Sequence, residues 1–374
     1  DELWGRAADY IDNHGLSDDP QDLIDAMEDA GLLFKWDEDH GRRYRTRMAE
    51  SIRLMARLKQ LFPKHFNGTP TWQGAPNLVS DFRFILRPRK YPNRSHPASG
   101  HIAGWAEGPP RLSALQVAVL RALTGAESPD SEVKLAGFQV RSTTRILRLA
   151  GQPAAVGQGH GNPSLSSATV ICAGTGSGKT LAFYLPALTH LAGSIDSDAS
   201  SWTRALALYP RNELLKDQFA ETLRQIRKVN PLLVAKGKRG LVIGAFFGPT
   251  PDRASYVADN WYRHPMGRVC PFLSCPSCGS QLVWVESDIT SEIERLRCTD
   301  SKCGGMVGPD EVRLTRDSMR KNPPDLLFTT TEMMNQRLSD KRHWHLFGVG
   351  QSPAKRPSLV LMDEAHTCAG NQGA

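Results

Sequence analysis

The stretch AGTGSGKT, at residues 173–180, constrains the fold of this chain more than any other part of the sequence. The apolar run at residues 170–172 predicts a buried strand before it, and the largely apolar residues 181–185 predict a helix after it. Three glycines let the backbone turn tightly and direct its N–H groups toward an anion. The start of the helix adds partial positive charge at the same place. The stretch therefore predicts a phosphate-binding loop between a strand and a helix of an α/β protein.

The side chains of this loop indicate what it binds. Lys179 can reach the β- and γ-phosphates of a nucleotide, and the Thr180 hydroxyl can ligate Mg²⁺. The loop residues that we expect to contact the nucleotide are Thr175, Gly176, Ser177, Gly178, Lys179 and Thr180. Loops of this kind usually open with Gly, whereas this one opens with Ala173, which is tolerated if that residue has an ordinary φ.

An acidic pair, Asp363 and Glu364, follows a second apolar run at residues 358–362. If that run is a central parallel strand, its carboxyl end lies at the sheet edge where ligands bind in open α/β folds. Asp363 would then hold Mg²⁺, and Glu364 would orient and deprotonate the attacking water. An acidic pair alone is usually a solvated turn, but together with a phosphate-binding loop it indicates nucleotide hydrolysis. We therefore expect Lys179, Asp363 and Glu364 to be catalytic, with Thr180 and Asp363 holding the Mg²⁺.

The phosphate-binding loop and the tetrapeptide DEAH at residues 363–366 resemble motifs I and II of superfamily 2 helicases, the DEAD/DEAH-box group. Motif I of that family has Ala at its first position, and the family commonly carries a proline where Pro186 stands. The resemblance covers residues 112–374 and implies a P-loop NTPase with a RecA-like parallel sheet flanked by helices. It also implies ATP and Mg²⁺ as cofactors. The alternation of apolar runs with helical patterns independently indicates a doubly wound parallel sheet.

In this family a glutamine upstream of motif I recognises the adenine edge, and Gln139 is our candidate for it. Gln139 lies farther upstream than usual, which fits an inserted loop in the low-complexity residues 151–164. Gln116 is the second candidate. An ordinary surface glutamine stays open as an alternative.

Three segments resemble the nucleic-acid contact motifs of the family. The strand-like residues 205–209 lead into a motif Ia-like segment, residues 241–246 lead into a Gly-x-Thr turn, and residues 324–334 resemble motif Ib. The residues that we expect to contact nucleic acid are Arg211, Asn212, Gly248, Thr250, Thr329 and Thr330. A formal net charge of +7 agrees with a polyanionic partner without proving one.

Five of the seven cysteines lie between Cys270 and Cys303, which favours a metal site over a secreted disulfide framework. The spacing is that of a structural zinc ribbon, with Zn²⁺ held by Cys275, Cys278, Cys298 and Cys303. Cys270 is a fifth candidate ligand. Catalytic zinc, free thiols or a disulfide pair stay open as alternatives. We expect Cys172 and Cys368 to be small buried residues rather than ligands.

The sequence before the helicase-like region predicts separate organisation. Residues 1–66 form a helical region in this interpretation, with a helix from Pro20 to Gly31, strands at 32–36 and 43–45, and a helix at 47–62. A helix followed by a hairpin is typical of a winged helix, and a plain helical subdomain is the alternative. Residues 67–110, with a possible strand at 82–86 and a basic run that includes Arg94, predict a Pro/Gly-rich linker or a nucleic-acid-facing loop. Residues 111–374 form the RecA-like lobe, interrupted by the zinc ribbon at 252–322.

The segment after the acidic box, TCAGNQGA at residues 367–374, resembles large DNA helicases of the Lhr and mitomycin-repair types and helicases of phage-defence and DNA-modification islands, such as DpdJ and the DISARM helicase DrmA. This resemblance implies an ATP-dependent DNA helicase or translocase, with single-stranded or duplex DNA and defence-complex proteins as partners. An RNA helicase and a non-motor ATP- and nucleic-acid-binding scaffold of a defence complex are the alternatives.

The chain shows no motif III and no second RecA-like lobe, so the resemblance implies that such a lobe lies elsewhere in the same protein or in another chain. We therefore expect this polypeptide alone to bind ATP weakly and hydrolyse it poorly. The sequence has no run of eighteen apolar residues and no basic-then-apolar start, so we expect a cytoplasmic protein without a membrane partner.

Overall fold

A computed structural model describes residues 2–15, 19–36, 43–53, 91–109, 111–150, 167–174 and 176–365. The chain divides into two compact units, Asp1–Arg89 and Lys90–Ala374.

The described part of the first unit contains three helical segments and a hairpin. Their bounds are α1 (Glu2–His14), α2 (Pro20–Asp29), β1 (Leu33–Trp36) and β2 (Arg43–Thr46), and residues 47–53 are helical. Asp19 caps α2 by accepting a hydrogen bond from the Gln21 amide, and Pro20 occupies the first helical position. The strands pair antiparallel, and Ala7, Ile24 and Leu33 form a small core. The helix and hairpin occur where the sequence predicts them, and the winged-helix interpretation stays a prediction.

The second unit carries the remaining helices and strands. In chain order they are β3 (Arg94–Pro97), α3 (Ser99–Glu107), α4 (Ala114–Thr124), β4 (Lys134–Ala136), α5 (Gly137–Ala150), α6 (Lys179–Ser197), β5 (Ala205–Tyr209), α7 (Asn212–Ala235), β6 (Ile243–Phe246), α8 (Ala254–Asn260), β7 (Arg263–His264), β8 (Gly267–Ser274), β9 (Gln281–Trp284), α9 (Glu286–Thr290), β10 (Leu296–Cys298), β11 (Met306–Val307), β12 (Val312–Arg313), α10 (Arg316–Lys321), β13 (Leu326–Thr330), α11 (Thr331–Leu338), two 3₁₀ helices (Lys341–Phe347 and Pro353–Lys355) and β14 (Leu359–Met362).

A five-stranded sheet forms the centre of the second unit, in the order β12-β6-β13-β5-β14. Each neighbouring pair of strands is parallel. Strands β5 and β6 are buried at every position because their residues are apolar on both faces. Since all five strands run in one direction, their carboxyl ends meet at a single edge. This mixed α/β arrangement fits the predicted RecA-like fold.

Buried ionic contacts fix the opposite edge of the sheet, where the strands begin. Asp325, which precedes β13 and is fully buried, accepts hydrogen bonds from the guanidinium groups of Arg204 and Arg239. It also accepts one from the amide of Val242, just before β6. These contacts tie the starts of three neighbouring strands together, because Arg204 immediately precedes β5.

Residues 167–174 differ from the prediction. The sequence predicts a buried strand at 170–172, but these residues have no regular secondary structure, and Val170 is 84% exposed. A strand requires a neighbour with which to form ladder hydrogen bonds, and no strand of the described residues pairs with this segment. Cys172, which we expected to be buried, is exposed. Cys368 lies outside the described residues.

The described end of the predicted linker is ordered structure in the second unit. Strand β3 pairs antiparallel with β4, and α3 buries Ile102 and Trp105 in the core. The indole of Trp105 donates to the Thr144 hydroxyl of α5 at 2.8 Å. Burial of these two apolar side chains stabilises a helix in a segment whose prolines and glycines predict a linker. The possible strand at 82–86 lies outside the described residues.

The inserted segment forms a second, antiparallel sheet in the order β11-β10-β9-β8-β7. Its core residue Phe272 packs against Phe219 of α7 and Phe247 after β6. The insertion is therefore anchored on the parallel sheet's own helix. Its predicted end at residue 322 is too late, because β12 has already rejoined the parallel sheet beside β6. Among the described residues, no helix has both the length and the apolar character needed to cross a membrane.

Candidate functional site

The phosphate-binding loop ends in a sharp turn at the start of α6. Gly176 and Gly178 have φ of 73° and 85°, in the left-handed region that favours glycine, and α6 begins at Lys179. A Cβ at Gly178 would also lie 2.9 Å from the Gln139 side-chain nitrogen. Gly178 is thus required for its backbone conformation and for the close approach of Gln139. Thr175 lies outside the described residues.

The loop has features expected of an anion cradle. The Ser177 side chain is 2% exposed, and its hydroxyl oxygen has no hydrogen-bond partner in the described residues. Polar atoms that are buried without a partner are uncommon in folded proteins, and a bound ligand is one explanation for them. Together with the glycine turn and the start of α6, this orphaned hydroxyl fits a nucleotide phosphate.

The acidic pair lies across from the loop, directly after β14. The Asp363 amide donates to the Leu208 carbonyl of β5 at 3.3 Å, which continues the strand pairing by one residue. The Glu364 carboxylate lies 3.9 Å from the Lys179 ammonium. Glu364 has a φ of 50°, and its amide donates to the Asp363 carboxylate at 2.9 Å. The structure thus brings together two motifs that are separated by most of the second unit's sequence.

The oxygen donors at this edge suit a hard cation. The Thr180 hydroxyl and the carboxylate of Asp363 are ligands that Mg²⁺ prefers. Both belong to the segments joined by the contact between Lys179 and Glu364. The residues present therefore fit the expected metal.

Two tyrosines that sequence reasoning missed lie close to Asp363. The hydroxyls of Tyr184 and Tyr209 are 2.6 Å apart, and both side chains are buried. Burial raises the pKa of each phenol, and the charge of Asp363 raises both further. The pair therefore stays neutral and links α6 to the end of β5. The apolar sequence around each tyrosine marks it only as a core residue, so no local signal pointed to this role.

Gln139 contacts the loop directly. It is 2% exposed, its side-chain nitrogen donates to the Gly178 carbonyl at 2.9 Å, and its oxygen accepts from the Ala136 amide at 2.8 Å. Gln116 instead caps α4 and donates to the Thr189 carbonyl, in the middle of α6. The geometry therefore favours Gln139 as the glutamine that supports the loop, and its adenine contact stays a prediction.

A cavity of about 410 Å³ opens beside the loop, between α6 and α7. Its polar lining includes Gln139, Gly178 and Thr180, and its apolar lining includes Leu181 and Leu185. The volume lies in the range of small-molecule sites. Room for a ligand is therefore present next to the turn that is expected to hold phosphate.

Arg94 is a further residue of the site, on β3. Its guanidinium donates to the Ser177 carbonyl at 3.4 Å, and it lines the same cavity. The sequence shows it only as one member of a basic run in the expected linker. No local sequence signal points to Arg94, because its position at the loop depends on the pairing of β3 with β4.

The six expected nucleic-acid contacts lie near the carboxyl ends of β5, β6 and β13. Arg211, Asn212 and Gly248 are exposed there. Thr250 and Thr329 are almost fully buried, and their hydroxyls donate to the carbonyls of Ala245 and Phe246.

Thr330 is half-buried and caps α11 by accepting from the Met333 amide. The exposed members therefore offer groups to a ligand. The buried threonine hydroxyls instead hold the turn and the strand end.

The four cysteine thiols of the insertion converge on one point. The ligand atoms of Cys275, Cys278, Cys298 and Cys303 all lie within 4.8 Å of one another. The closest pairs are 3.7 and 3.4 Å apart. Tetrahedral zinc with Zn–S bonds of about 2.3 Å requires sulfur atoms roughly 3.8 Å apart, so the thiols fit that geometry.

Glycines shape the two turns that carry these cysteines. Gly279 and Gly304 have positive φ, and a Cβ at Gly305 would lie 2.9 Å from the Cys275 sulfur. Cys270 is not part of the cluster, and burial raises the pKa of its thiol to about 12. Because the Cys270 sulfur does not join the other four, the four-cysteine set is the candidate.

Comparison with known proteins supports the interpretation of the loop. Residues 156–241 match the sequence model of the DEAD/DEAH box helicase family. A comparison with curated proteins found no match. The matched segment contains the phosphate-binding loop, α6, β5 and α7. Together with the parallel sheet, this match supports a member of helicase superfamily 2, a nucleic-acid-dependent ATPase that uses ATP and Mg²⁺.

Proposed function

We propose that this chain is the ATP-binding lobe of a DNA helicase or translocase. The observation that carries the proposal is the 3.9 Å contact between Lys179 and Glu364. It places the end of the phosphate-binding loop and the acidic pair at one edge of the sheet. ATP would bind there, and hydrolysis against a second RecA-like lobe, in the same or another chain, would move the protein along a strand.

Each residue at this edge has a separate task in hydrolysis. Lys179 and the amides at the start of α6 hold the terminal phosphates, and Gln139 keeps Gly178 in its turn. Thr180 and Asp363 would hold Mg²⁺, which would neutralise charge on the phosphate oxygens when bound. The Glu364 carboxylate, 3.9 Å from the Lys179 ammonium, orients water and accepts its proton.

Exposed groups at the same edge support a nucleic-acid strand as the second ligand. Arg211 and Asn212 stand at the start of α7, and Gly248 stands in the turn after β6. We favour DNA over RNA, and a role in phage defence or DNA modification, because the segment after the acidic box resembles helicases of those systems. The four-cysteine cluster would hold a structural Zn²⁺ that stabilises the insertion against α7.

Two measurements test this proposal. Binding of a fluorescent ATP analogue with Mg²⁺ to the 374-residue chain should fall at least about tenfold in Lys179→Ala, because the lost ammonium makes charge-assisted contacts to phosphate. Lys236→Ala is the matched control, since Lys236 pairs with Asp196 at the far end of α7. Equal binding by wild type and Lys179→Ala would contradict the assignment.

The second measurement is ATP turnover in the presence of the second RecA-like lobe, with single-stranded DNA, duplex DNA, RNA or no nucleic acid. Stimulation by DNA alone supports the proposal. Stimulation by RNA alone would favour an RNA helicase. Turnover that no nucleic acid stimulates would favour a non-motor scaffold.

A further inference from the structure

Two arginines outside the family-like motifs converge on one aromatic ring. The guanidinium carbons of Arg316 and Arg337 lie 5.4 and 5.9 Å from the centre of the Phe246 ring. Phe246 is the last residue of β6 and is fully buried. Arg316 begins α10 and Arg337 lies in the last turn of α11, so the fold brings them together from different elements.

Neither arginine has a carboxylate partner in the described part of the chain. The Nε atoms of both are buried without a hydrogen-bond partner. The described contacts of the Arg316 guanidinium are donations from Nη2 to the carbonyls of Phe247 and Gly248, at 3.0 and 3.4 Å. The Arg337 guanidinium makes no hydrogen bond to any described residue. Two cations therefore lie within 5.9 Å of the same ring centre with most of their donors unused.

The carboxylates near this pair have other partners. Asp252 lies 3.9 Å from Arg253, and Asp340 binds Arg342 and His343. Burial lowers the pKa of Arg316 and the charge of Arg337 lowers it next, while the charge of Asp252 acts in the opposite direction. The arginines thus repel each other. An anion between them would relieve that repulsion and use the free donors.

The pair lies beside the edge where the expected nucleic-acid contacts gather. Arg316 donates to the turn that contains Gly248, and Arg337 lies on the helix capped by Thr330. Planar guanidinium groups match the oxygens of a phosphate and hold them through paired hydrogen bonds. A strand that crosses from Gly248 toward Thr330 would pass a phosphate close to this pair.

We propose that Arg316 and Arg337 together bind one backbone phosphate of the nucleic-acid strand, beside the turn after β6. This proposal rests on the proposed function. The ligand is a phosphodiester group. Binding at this pair should not depend on base sequence, because contacts to backbone phosphates carry no direct sequence information.

The test measures the affinity of the 374-residue chain for labelled single-stranded DNA at several salt concentrations. Arg316→Gln and Arg337→Gln should each weaken binding about tenfold at low salt, because each removes charge-assisted hydrogen bonds. The slope of log affinity against log salt should shrink by about 0.7 in the double variant, the value for one phosphate of a single strand that the protein no longer neutralises, and by less in each single variant. The loss should be similar for different base sequences. Because both arginines serve one phosphate, the double variant should lose less than the product of the two single losses.

Arg320→Gln is the matched control, because Arg320 lies on the same helix as Arg316 and pairs with Asp317. It should bind as the wild type does. Arg337→Lys keeps the charge over Phe246 and should recover the salt slope with only part of the affinity, which guards against a misfolded Gln variant.

The outcomes separate the two proposals. A wild type that binds no nucleic acid would overturn both. The wild type could bind nucleic acid while folded Arg316→Gln and Arg337→Gln variants match its affinity and salt slope. That result would overturn only the proposal for the two arginines. Thermal stabilisation by inorganic phosphate that is lost in the variants, with unchanged DNA affinity, would show a free-anion site and also overturn it.

Discussion

The four-cysteine cluster and the sheet edge that carries Lys179 and Glu364 are both built from short motifs. They differ in how closely their functional groups approach one another and in how exposed those groups are. The cluster's thiols already lie within 4.8 Å of one another, and Cys275 and Cys298 are buried. At the catalytic edge, Lys179 and Glu364 approach only to 3.9 Å, with side chains 29% and 35% exposed. A site that stabilises a fold can satisfy all its groups internally. A site that turns over substrate keeps groups available, and therefore contributes little to stability.

This contrast predicts that the largest loss of stability follows removal of the metal. Cys275→Ser should abolish about one equivalent of bound zinc and lower the apparent free energy of unfolding by more than about 4 kcal/mol, since metal binding is coupled to folding. Metal analysis and thermal unfolding check this. Cys172→Ser, at an exposed cysteine outside the cluster, should change neither. If the wild type, purified without chelator, holds well under one zinc per chain, the prediction of a zinc site is wrong.

The next largest effect is expected at Asp325, where the strands begin. Asp325→Asn should lower the free energy of unfolding by about 3–5 kcal/mol, because it leaves the Arg204 guanidinium buried without its carboxylate partner. Urea unfolding measures the loss. Asp317→Asn is the control, because its partners Arg320 and Lys321 are more exposed, and its cost should stay within about 1 kcal/mol. Equal losses in the two variants would show that the starting edge of the sheet is not specially stabilised.

Gly178→Ala combines a moderate structural cost with a functional one. An alanine held at the left-handed φ of 85° should lower the free energy of unfolding by about 1–2 kcal/mol. Its methyl group would also displace Gln139 from the loop. Affinity for an ATP analogue should fall at least about tenfold, since the amides of the turn would no longer converge. Gly100→Ala, where nothing lies within 4 Å of an added Cβ, is the control for stability. Unchanged nucleotide affinity in a folded Gly178→Ala would show that the turn does not hold the phosphates.

The motifs were predictable because their chemistry depends on local spacing. The loop, the thiols and the strands that end at Tyr209 and Met362 follow from glycine positions, cysteine spacing and apolar runs. Contacts between distant segments were not predictable in this way. Arg94 reaches Ser177 only because β3 pairs with β4, and the two hydroxyls of Thr250 and Thr329 are buried by the turn and strand that carry them. Burial and pairing depend on the whole fold, so a motif indicates a position but not which way its side chain faces.

The smallest effect on stability should accompany the largest effect on chemistry, at Glu364. Glu364→Gln removes the charge facing Lys179, but a partly exposed pair contributes at most about 1 kcal/mol, so unfolding should hardly change. ATP turnover, measured with the second RecA-like lobe present, should fall about 10²–10⁴-fold, because an amide cannot accept the proton of the attacking water. Glu286→Gln, at an exposed pair with Arg268 in the insertion, should preserve both properties. Nucleotide affinity should survive in Glu364→Gln, which separates it from Lys179→Ala. A Glu364→Gln protein that unfolds several kcal/mol more easily would instead place this carboxylate with the structural groups, alongside Asp325 and the cysteines.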